Sequence, residues 1–589
     1  MLHVLPHTAY RFNISLAQDQ TIAVSKQHTI KNLYLRAEFS KMSKNLKYIL
    51  GISLVAALFF IPLIGRVHLF DWDEINFAEA SREMLVLKDF LRVHIDFVPF
   101  FQKPPLFFWL QSLSMSIFGV NEFSARFPNA VCGIITLVLL FRIGKATHNA
   151  HFGFLWTLAY FGSILPFLYF KSGIIDPWFN LFIFLSIYHI IRASTRSSRE
   201  QGLSSAALII LAGSFAGLAI LTKGPVALLV IGLTWIVYKL IYERQTFFKL
   251  QLPILFLLFC CLVAMVWFGV EYMNNGSSFL EEFIRYQIKL LSTEDAGHGG
   301  FFGYHFVILF FGVFPASIFA LFELFKKRNI DVSHSSIRQW MIVLLLVVVI
   351  LFTIVQSKII HYSSLAYFPL TYLAALGIRD LIKGKRQMPG WVKSLTIGVG
   401  VIFFIAVAAL PFVGMNIGKL SPYFEGDPFA SKAIMADTSW SYLGIIPAIL
   451  LACALIFFVW MNKRNEFQKA FLGLFIGVAL FSFTALVFSV KNIEAYSQNA
   501  AIEFYKSLQG EDCYVRTIGF KSYAHHFYAR TQPSENLNYR NKEWLLTGEI
   551  DKPVYLVTKS HKSKSLEIYK DIKLIEHKNG FAFFKRMPE

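Results

Sequence analysis

Residues 304–386 read YHFVILFFGVFPASIFALFELFKKRNIDVSHSSIRQWMIVLLLVVVILFTIVQSKIIHYSSLAYFPLTYLAALGIRDLIKGKR, and the reading of this stretch decides the fold. It holds three apolar runs, at 304–325, 341–355 and 364–378. A loop with Lys326, Lys327, Arg328 and Arg338 separates the first two, and Arg379, Lys383, Lys385 and Arg386 follow the third. Between these basic groups lies a short turn carrying Lys358 and His361. Runs of about 17–25 apolar residues have membrane-crossing length, and lysine and arginine gather in cytoplasmic loops. The stretch therefore reads as three spans whose connections alternate between the two sides of a membrane.

Outward from it the same pattern holds. Further apolar runs fall at 48–64, 126–143, 152–170, 178–192, 203–221, 226–241, 252–272, 392–413, 442–460 and 471–490, thirteen in all. Every second loop is basic, through Arg142 and Lys145; Arg192, Arg196 and Arg199; Lys239, Arg244 and Lys249; and Lys463, Arg464 and Lys469. Lys41, Lys44 and Lys47 flank the first run on the same side. The alternation predicts a multi-pass membrane protein with a cytoplasmic N-terminus and a C-terminus on the outward side.

Composition agrees. Of 589 residues 55% are hydrophobic and 16% charged, against about 25% charged in soluble domains, and mean hydropathy is +0.52. The net charge of +19 resides in short loops between apolar runs, which argues against a nucleic-acid partner and for membrane lipids. Cys132, Cys260, Cys261 and Cys453 sit in apolar runs and Cys513 stands alone, so neither a disulfide framework nor a metal spacing is present. Residues 1–46 are polar and unpatterned; they read as a disordered tail, or as sequence ahead of a natural start at Met42.

The predicted architecture is mainly α, with a transmembrane domain over 47–490 and outward loops at 65–124, 273–303 and 415–441. Residues 491–589 form a small extramembrane α/β domain, from the helix-like AIEFYKSL at 501–508 and the strand-like PVYLVT at 553–558 and FAFFK at 581–585. In the first loop, 105–118 reads as an interfacial helix and 78–87 as a short amphipathic helix.

The unusual polar residues gather on the outward side. Asp71, Asp73 and Glu74 lie in FDWDEINFAEASREM; such a cluster can accept a proton, hold a metal, or simply solvate a loop. Lys103 precedes Pro104 and Pro105, which start a helix. Lys223 in LTKGP and Lys358 in QSKIIHYSS occupy tight turns. Each lysine alone reads as a helix end reaching for water; three beside carboxylates point to an anion pocket, with a lipid phosphate as the obvious occupant. Asp176, before Pro177, reads equally as a helix cap or a functional acid, with Lys171 near enough in sequence to pair with it. The stretch 286–303 (YQIKLLSTEDAGHGGFFG) carries Lys289, Glu294, Asp295 and His298, and has the look of a loop that orders over substrate or of an ordinary exposed loop. His298 and Glu294 have a spacing compatible with a shared metal, although two ligands do not make a site.

The order WDEINFAEASREM, FQKPPLFFW, IIDPW, LTKGP, STEDAGH, SKIIHY resembles bacterial aminoarabinose transferases and the wider dolichyl-phosphate-mannose protein mannosyltransferase-like family, membrane glycosyltransferases of the GT-C class. The motifs cover 48–378; beyond them the resemblance rests on thirteen spans and an outward C-terminal domain. It implies a polyprenyl-phosphate sugar donor, an acceptor that is a lipid A-like lipid, a protein or another envelope glycan, and transfer on the outer face of a bacterial inner membrane, with the C-terminal domain in the periplasm. It places the catalytic acid at Asp73 with Glu74 beside it, a phosphate contact at Lys103, and further pocket positions at Asp176, Lys223 and Lys358. Lys289, His361 and Tyr362 complete the expected donor-binding set. The family's aminoarabinose transferases carry Glu immediately before the Lys103 position, where it helps hold a metal; here it is Gln102, and the basic residue after the loop histidine is Gly299. Gln102 counts against a divalent metal, and both departures count against the aminoarabinose and lipid A pair. The expected reaction is a one-step, inverting displacement with Asp73 orienting or deprotonating the acceptor. The alternatives are a polyprenyl-lipid flippase or transporter, or a non-catalytic envelope assembly factor.

Overall fold

Long apolar runs become helices because a membrane leaves backbone groups no partner outside the segment. The computed structural model describes residues 45–71, 73–195, 202–243, 251–292, 299–326 and 337–589. The chain divides into residues 1–56, of which 45–56 are described and helical, and residues 57–589. Most of the tail expected at 1–46, up to residue 44, lies outside the described residues.

All thirteen apolar runs fall mainly on helix. Among the described residues, eight helices are long and apolar enough to cross a membrane. The run 304–325 is not one straight span: it breaks into Tyr304–Gly312 and Ala316–Leu324, bent by 114°. The run 152–170 is likewise split, into Ala150–Phe161 and Ile164–Tyr169, with Ser163 between them. Prolines at 166 and 315 sit just past the breaks, where their missing N–H costs no helical bond. Asn45–Phe60 and Val226–Tyr242 are shorter apolar helices.

Small residues let these helices approach. Gly213 and Gly217, four apart on Ser205–Lys223, face Gln251–Asn275 so closely that added Cβ atoms would come within 2.4 Å of the Phe256 carbonyl oxygen and 2.7 Å of Val263 Cβ. At the basic ends of the helices, Glu323 receives Arg338 at 2.9 Å and Arg386 at 3.2 Å, while Lys326 meets Asp380 at 2.6 Å. Arg196, Arg199, Arg244, Lys249, Lys327 and Arg328 lie outside the described residues.

At the opposite ends a cap is built from the first loop, residues 415–441 and the C-terminal region. The first loop runs through helix Asp73–Leu87, a hairpin of β1 (His94–Ile95) and β2 (Val98–Pro99), and helix Leu106–Phe118. Leu106–Phe118 keeps Leu113 and Ile117 exposed, as an interfacial helix does. The helix expected at 78–87 starts earlier, at Asp73, and is buried on all sides from Glu74 to Met84 rather than amphipathic. It is sandwiched: Leu69, Ile75, Ala78 and Met115 share one core with Ile502, Tyr505, Phe527 and Phe583.

That C-terminal core belongs to a four-stranded sheet of order β3-β4-β6-β5: β3 (Tyr514–Ile518), β4 (Val554–Lys559), β5 (Ile572–Lys578) and β6 (Phe581–Arg586). β3 and β4 are parallel and the remaining pairs antiparallel. The runs at 553–558 and 581–585 are β4 and β6, and AIEFYKSL falls on helix Asn499–Ser507 and its end. The sheet does not stand apart from the rest. Tyr528 Oη receives the Leu69 N–H at 2.7 Å, Arg82 donates to the Thr531 carbonyl at 2.9 Å, and Phe429 packs edge-on against Phe581.

Candidate active site

Asp73 and Glu74 open the same helix and, with Arg126, border the same cavity, but their partners differ. Glu74 is 5% exposed. It takes Arg126 Nε at 3.0 Å and Nη2 at 2.7 Å, the Phe70 N–H at 2.9 Å, and the Gly173 N–H. Arg126 also donates to the carbonyls of Ile64, Val67 and His68. Burial works to raise the Glu74 carboxyl, but Arg126 and the two N–H donors hold it below the ordinary carboxylate range. Glu74 is thus the peg that folds the first loop onto the helix ends. Its partner Arg126 escaped the sequence reading, although an arginine inside an apolar run is itself a signal.

Asp73 faces a cavity of 620 Å³ lined by Asp71, Gln102, Lys103, Asp176, Lys223, His361 and Tyr362 among others. Its Oδ2 is 3.2 Å from His361 Nε2. Burial raises its pKa, but the His361 hydrogen bond and the charges of His361, Lys223 and Lys103 together take it below the ordinary value. A carboxylate so placed is ionised whenever substrate arrives.

Each neighbour is positioned by its own local structure. Asp176 begins helix Asp176–Thr195, is 3% exposed, and pairs with Lys223 rather than Lys171. Lys171 instead donates to the Phe59 carbonyl at 2.7 Å and the Pro62 carbonyl at 2.9 Å. Lys223 ends helix Ser205–Lys223 at Gly224, whose φ of 110° only glycine adopts readily. Its Nζ stands 5.1 Å from the Tyr362 ring centre and 5.8 Å from that of Phe179. His361 and Tyr362 sit in the 3-10 turn Ile360–Ala366, held by Asn180, which donates to Ser364 Oγ at 2.7 Å, and by Ser364, which donates to the His361 carbonyl. His361 Nε2 is also 3.8 Å from Asp176 Oδ2. Lys103 lies over Tyr286, 5.5 Å from the ring centre.

The structure leaves two expected contacts outside this group. Lys358 Nζ donates to the carbonyls of Phe352, Thr353 and Val355, capping the end of helix Ile337–Ile354, and does not line the cavity. Lys289 is exposed on helix Ser278–Ser292 and does not line it either. That helix occupies the start of what the sequence suggested as a loop, and it brings Tyr286 to the cavity instead. Glu294, Asp295 and His298 lie outside the described residues. Among the described residues no group of three or more His, Cys, Asp or Glu could hold a metal. Asp176 has Lys223 as its cation, and Gln102 is neutral.

A second hollow, of 280 Å³, joins the first at Lys103, Asp176, Lys223 and Tyr362. It is lined by apolar side chains between helices, including Ile183, Val226, Leu229, Leu351, Phe352 and Val355. The arrangement offers an apolar slot ending on cations, with a carboxylate just beyond.

Comparison with known proteins follows this geometry. The family model for dolichyl-phosphate-mannose-protein mannosyltransferase matches residues 102–268. An undecaprenyl phosphate-alpha-4-amino-4-deoxy-L-arabinose arabinosyl transferase of Photorhabdus laumondii is 27% identical over 368 residues, covering 61% of this chain and 65% of that protein, just under two thirds of its length. A protein of the same name from Pectobacterium carotovorum is 26% identical over 66% of this chain and 72% of its own. The crystal structure of ArnT from Cupriavidus metallidurans bound to undecaprenyl phosphate superposes with a TM-score of 0.71 at 16% identity, covering 92% of this chain and 98% of that one. The fold is shared along nearly the whole length.

Proposed function

We propose that the chain is a GT-C class membrane protein of the aminoarabinose transferase and protein mannosyltransferase-like family, and that it transfers a sugar from a polyprenyl-phosphate donor to an envelope acceptor; the likenesses above support this reading. The supporting observation is the junction of the two hollows: Lys103 and Lys223 stand where an apolar slot meets the cavity of Asp73.

The polyprenyl chain occupies the slot and its phosphate rests against Lys103 and Lys223. As the glycosidic bond to phosphate breaks, negative charge grows on the phosphate oxygens, and cations already in place stabilise that charge more than the ground state. Tyr362 and Phe179 flank Lys223, and their ring faces favour its ammonium where they are packed.

Asp73 acts on the acceptor. Its low pKa makes it a modest proton acceptor, so its first task is to orient the attacking oxygen; with a hydroxyl acceptor it also takes the proton as the C–O bond forms. The acceptor oxygen attacks the anomeric carbon opposite the phosphate, the C–O bond to phosphate breaks, and the configuration inverts. On this reading the Asp73 face of the membrane is the periplasmic one, which the basic residues at the other helix ends support.

The test is purified protein in liposomes with labelled polyprenyl-phosphate sugars and envelope lipid, glycan or protein acceptors. Release of polyprenyl phosphate together with a labelled acceptor supports the reading. Donor crossing the bilayer with its sugar still attached would replace it with a flippase.

A further inference from the structure

The hairpin that leads into Lys103 turns on a backbone its own residues disfavour. β1 and β2 pair His94 with Pro99 and Ile95 with Val98, which leaves Asp96 and Phe97 as a two-residue loop. Both have positive φ, 61° and 56°. That combination defines the turn which matches strand twist, and which Asn-Gly or Asp-Gly normally supplies. Phe at the second position is strained there.

The strain is met from outside the hairpin. Glu83, on the helix that begins with Asp73, accepts the Asp96 N–H at 2.8 Å and the Phe97 N–H at 2.9 Å. Tyr539 Oη donates to the Asp96 carbonyl and Arg540 Nη2 to the Phe97 carbonyl, both at 3.2 Å. Arg516 Nη1 holds the Asp96 carboxylate at 2.7 Å. Side chains from elsewhere therefore hold all four backbone polar groups of the turn, Glu83 two of them and the C-terminal Tyr539 and Arg540 one each, while Arg516, also C-terminal, holds the Asp96 side chain. β2 then runs directly into Phe100, Gln102 and Lys103, which line the cavity. Strained backbone persists where its surroundings over-determine it.

We propose that Arg516, Tyr539 and Arg540, with Glu83, are positioning residues: they hold the Asp96–Phe97 turn in its left-handed form and thereby place Gln102 and Lys103 against Asp73. The C-terminal domain is in this sense a template for one lip of the cavity. The consequence for catalysis rests on the glycosyl-transfer reading; the geometry of the lip does not.

The test uses the full chain in lipid nanodiscs and reads both. With Cys513→Ser and Gln102→Cys, the labelling rate by a charged maleimide reports the lip whatever the chain catalyses. Arg516→Ala is expected to change that rate by about fivefold or more, the effect of a modest loss of holding energy on a two-state population, and Arg516→Lys by less. Phe97→Gly, which makes the turn Asp-Gly, keeps the rate near that of the parent and abolishes the effect of Arg516→Ala. In the transfer assay, on chains retaining Gln102, Arg516→Ala raises KM for donor about fivefold with kcat largely kept, and Phe97→Gly restores it. An Arg516→Ala effect that persists with Phe97→Gly present overturns the proposal in favour of general loosening of the domain. An unchanged labelling rate in Arg516→Ala overturns it as well. If labelling follows expectation while the parent transfers no sugar, the positioning stands and the functional reading falls.

Discussion

His361 reaches Asp73 across the cavity, Nε2 to Oδ2 at 3.2 Å, and so ties the acid of the first loop to a turn between helices Ile337–Ile354 and Tyr367–Ile382. The contact engages one carboxylate oxygen. On the proposed reaction, the pair sets the angle at which an acceptor meets the carboxylate.

Replacing Asp73 with Asn keeps the shape and removes the charge. Transfer is expected to fall by about 10²–10⁴-fold, the usual worth of a positioned acid or base, with expression and elution from size exclusion unchanged. Labelled-donor assays decide it: a rate equal to the parent's removes Asp73 from the mechanism.

The two lysines part company on substitution. Lys103→Ala is expected to weaken donor use, with KM for donor rising more than kcat falls. Lys223→Ala also strips Asp176 of its cation, and a buried carboxylate left alone costs about 3–5 kcal/mol. The Lys223→Ala protein is therefore less stable, and adding Asp176→Asn returns stability without returning transfer. Thermal unfolding in detergent alongside donor kinetics separates the two effects.

Glu74 behaves as a structural residue beside a catalytic one. Glu74→Gln leaves Arg126 buried with half its anchorage, at a cost of about 3–5 kcal/mol, and lowers the melting temperature far more than Asp73→Asn does. Equal melting in the two variants contradicts the division of labour drawn here.

Asp71 provides a pH signature. Partial desolvation of its carboxyl, in a residue that is otherwise exposed, raises its pKa to about 6 against a hydrogen bond with Ser522 that lowers it. The folded value lies above the ordinary 3.8, so the protonated acid is the form the fold prefers. Its contribution to stability is complete below about pH 4 and is lost as pH rises through about 6. Asp73 has the opposite sign, since its lowered value loses stability only as pH falls below the ordinary range. Between pH 5 and 7 the melting curve of Asp71→Asn is therefore expected to lack a downward slope that the parent shows. Parallel curves remove Asp71 as its source.

Much of this was legible from residues alone. Period and charge place the helices, because a bilayer imposes length and the loops impose side. Asp73, Lys103, Asp176, Lys223, His361 and Tyr362 were all singled out from turns at helix ends, and the structure brings them to one cavity. Lys358 misled, since a lysine after a helix serves its own terminal carbonyls as readily as a ligand. The bend near Pro315 and the pairing of Glu74 with Arg126 were hidden, because both depend on partners distant in sequence. β3 and β5 were missed for a related reason. β5 is exposed along nearly its whole length, so it carries little of the apolar alternation by which a strand is recognised.

Leu69, Ile75 and Ala78, in the first loop, share their core with Met115 and, from the far end of the chain, with Ile502, Tyr505, Phe527 and Phe583. A nascent chain thus holds its acid-bearing segment long before the ribosome has made the residues that complete this core. Until then its apolar side chains lack those partners and are open to chaperones or proteases. A truncation that removes β6 is therefore expected to disturb a cavity whose Asp73 lies near the other end of the chain.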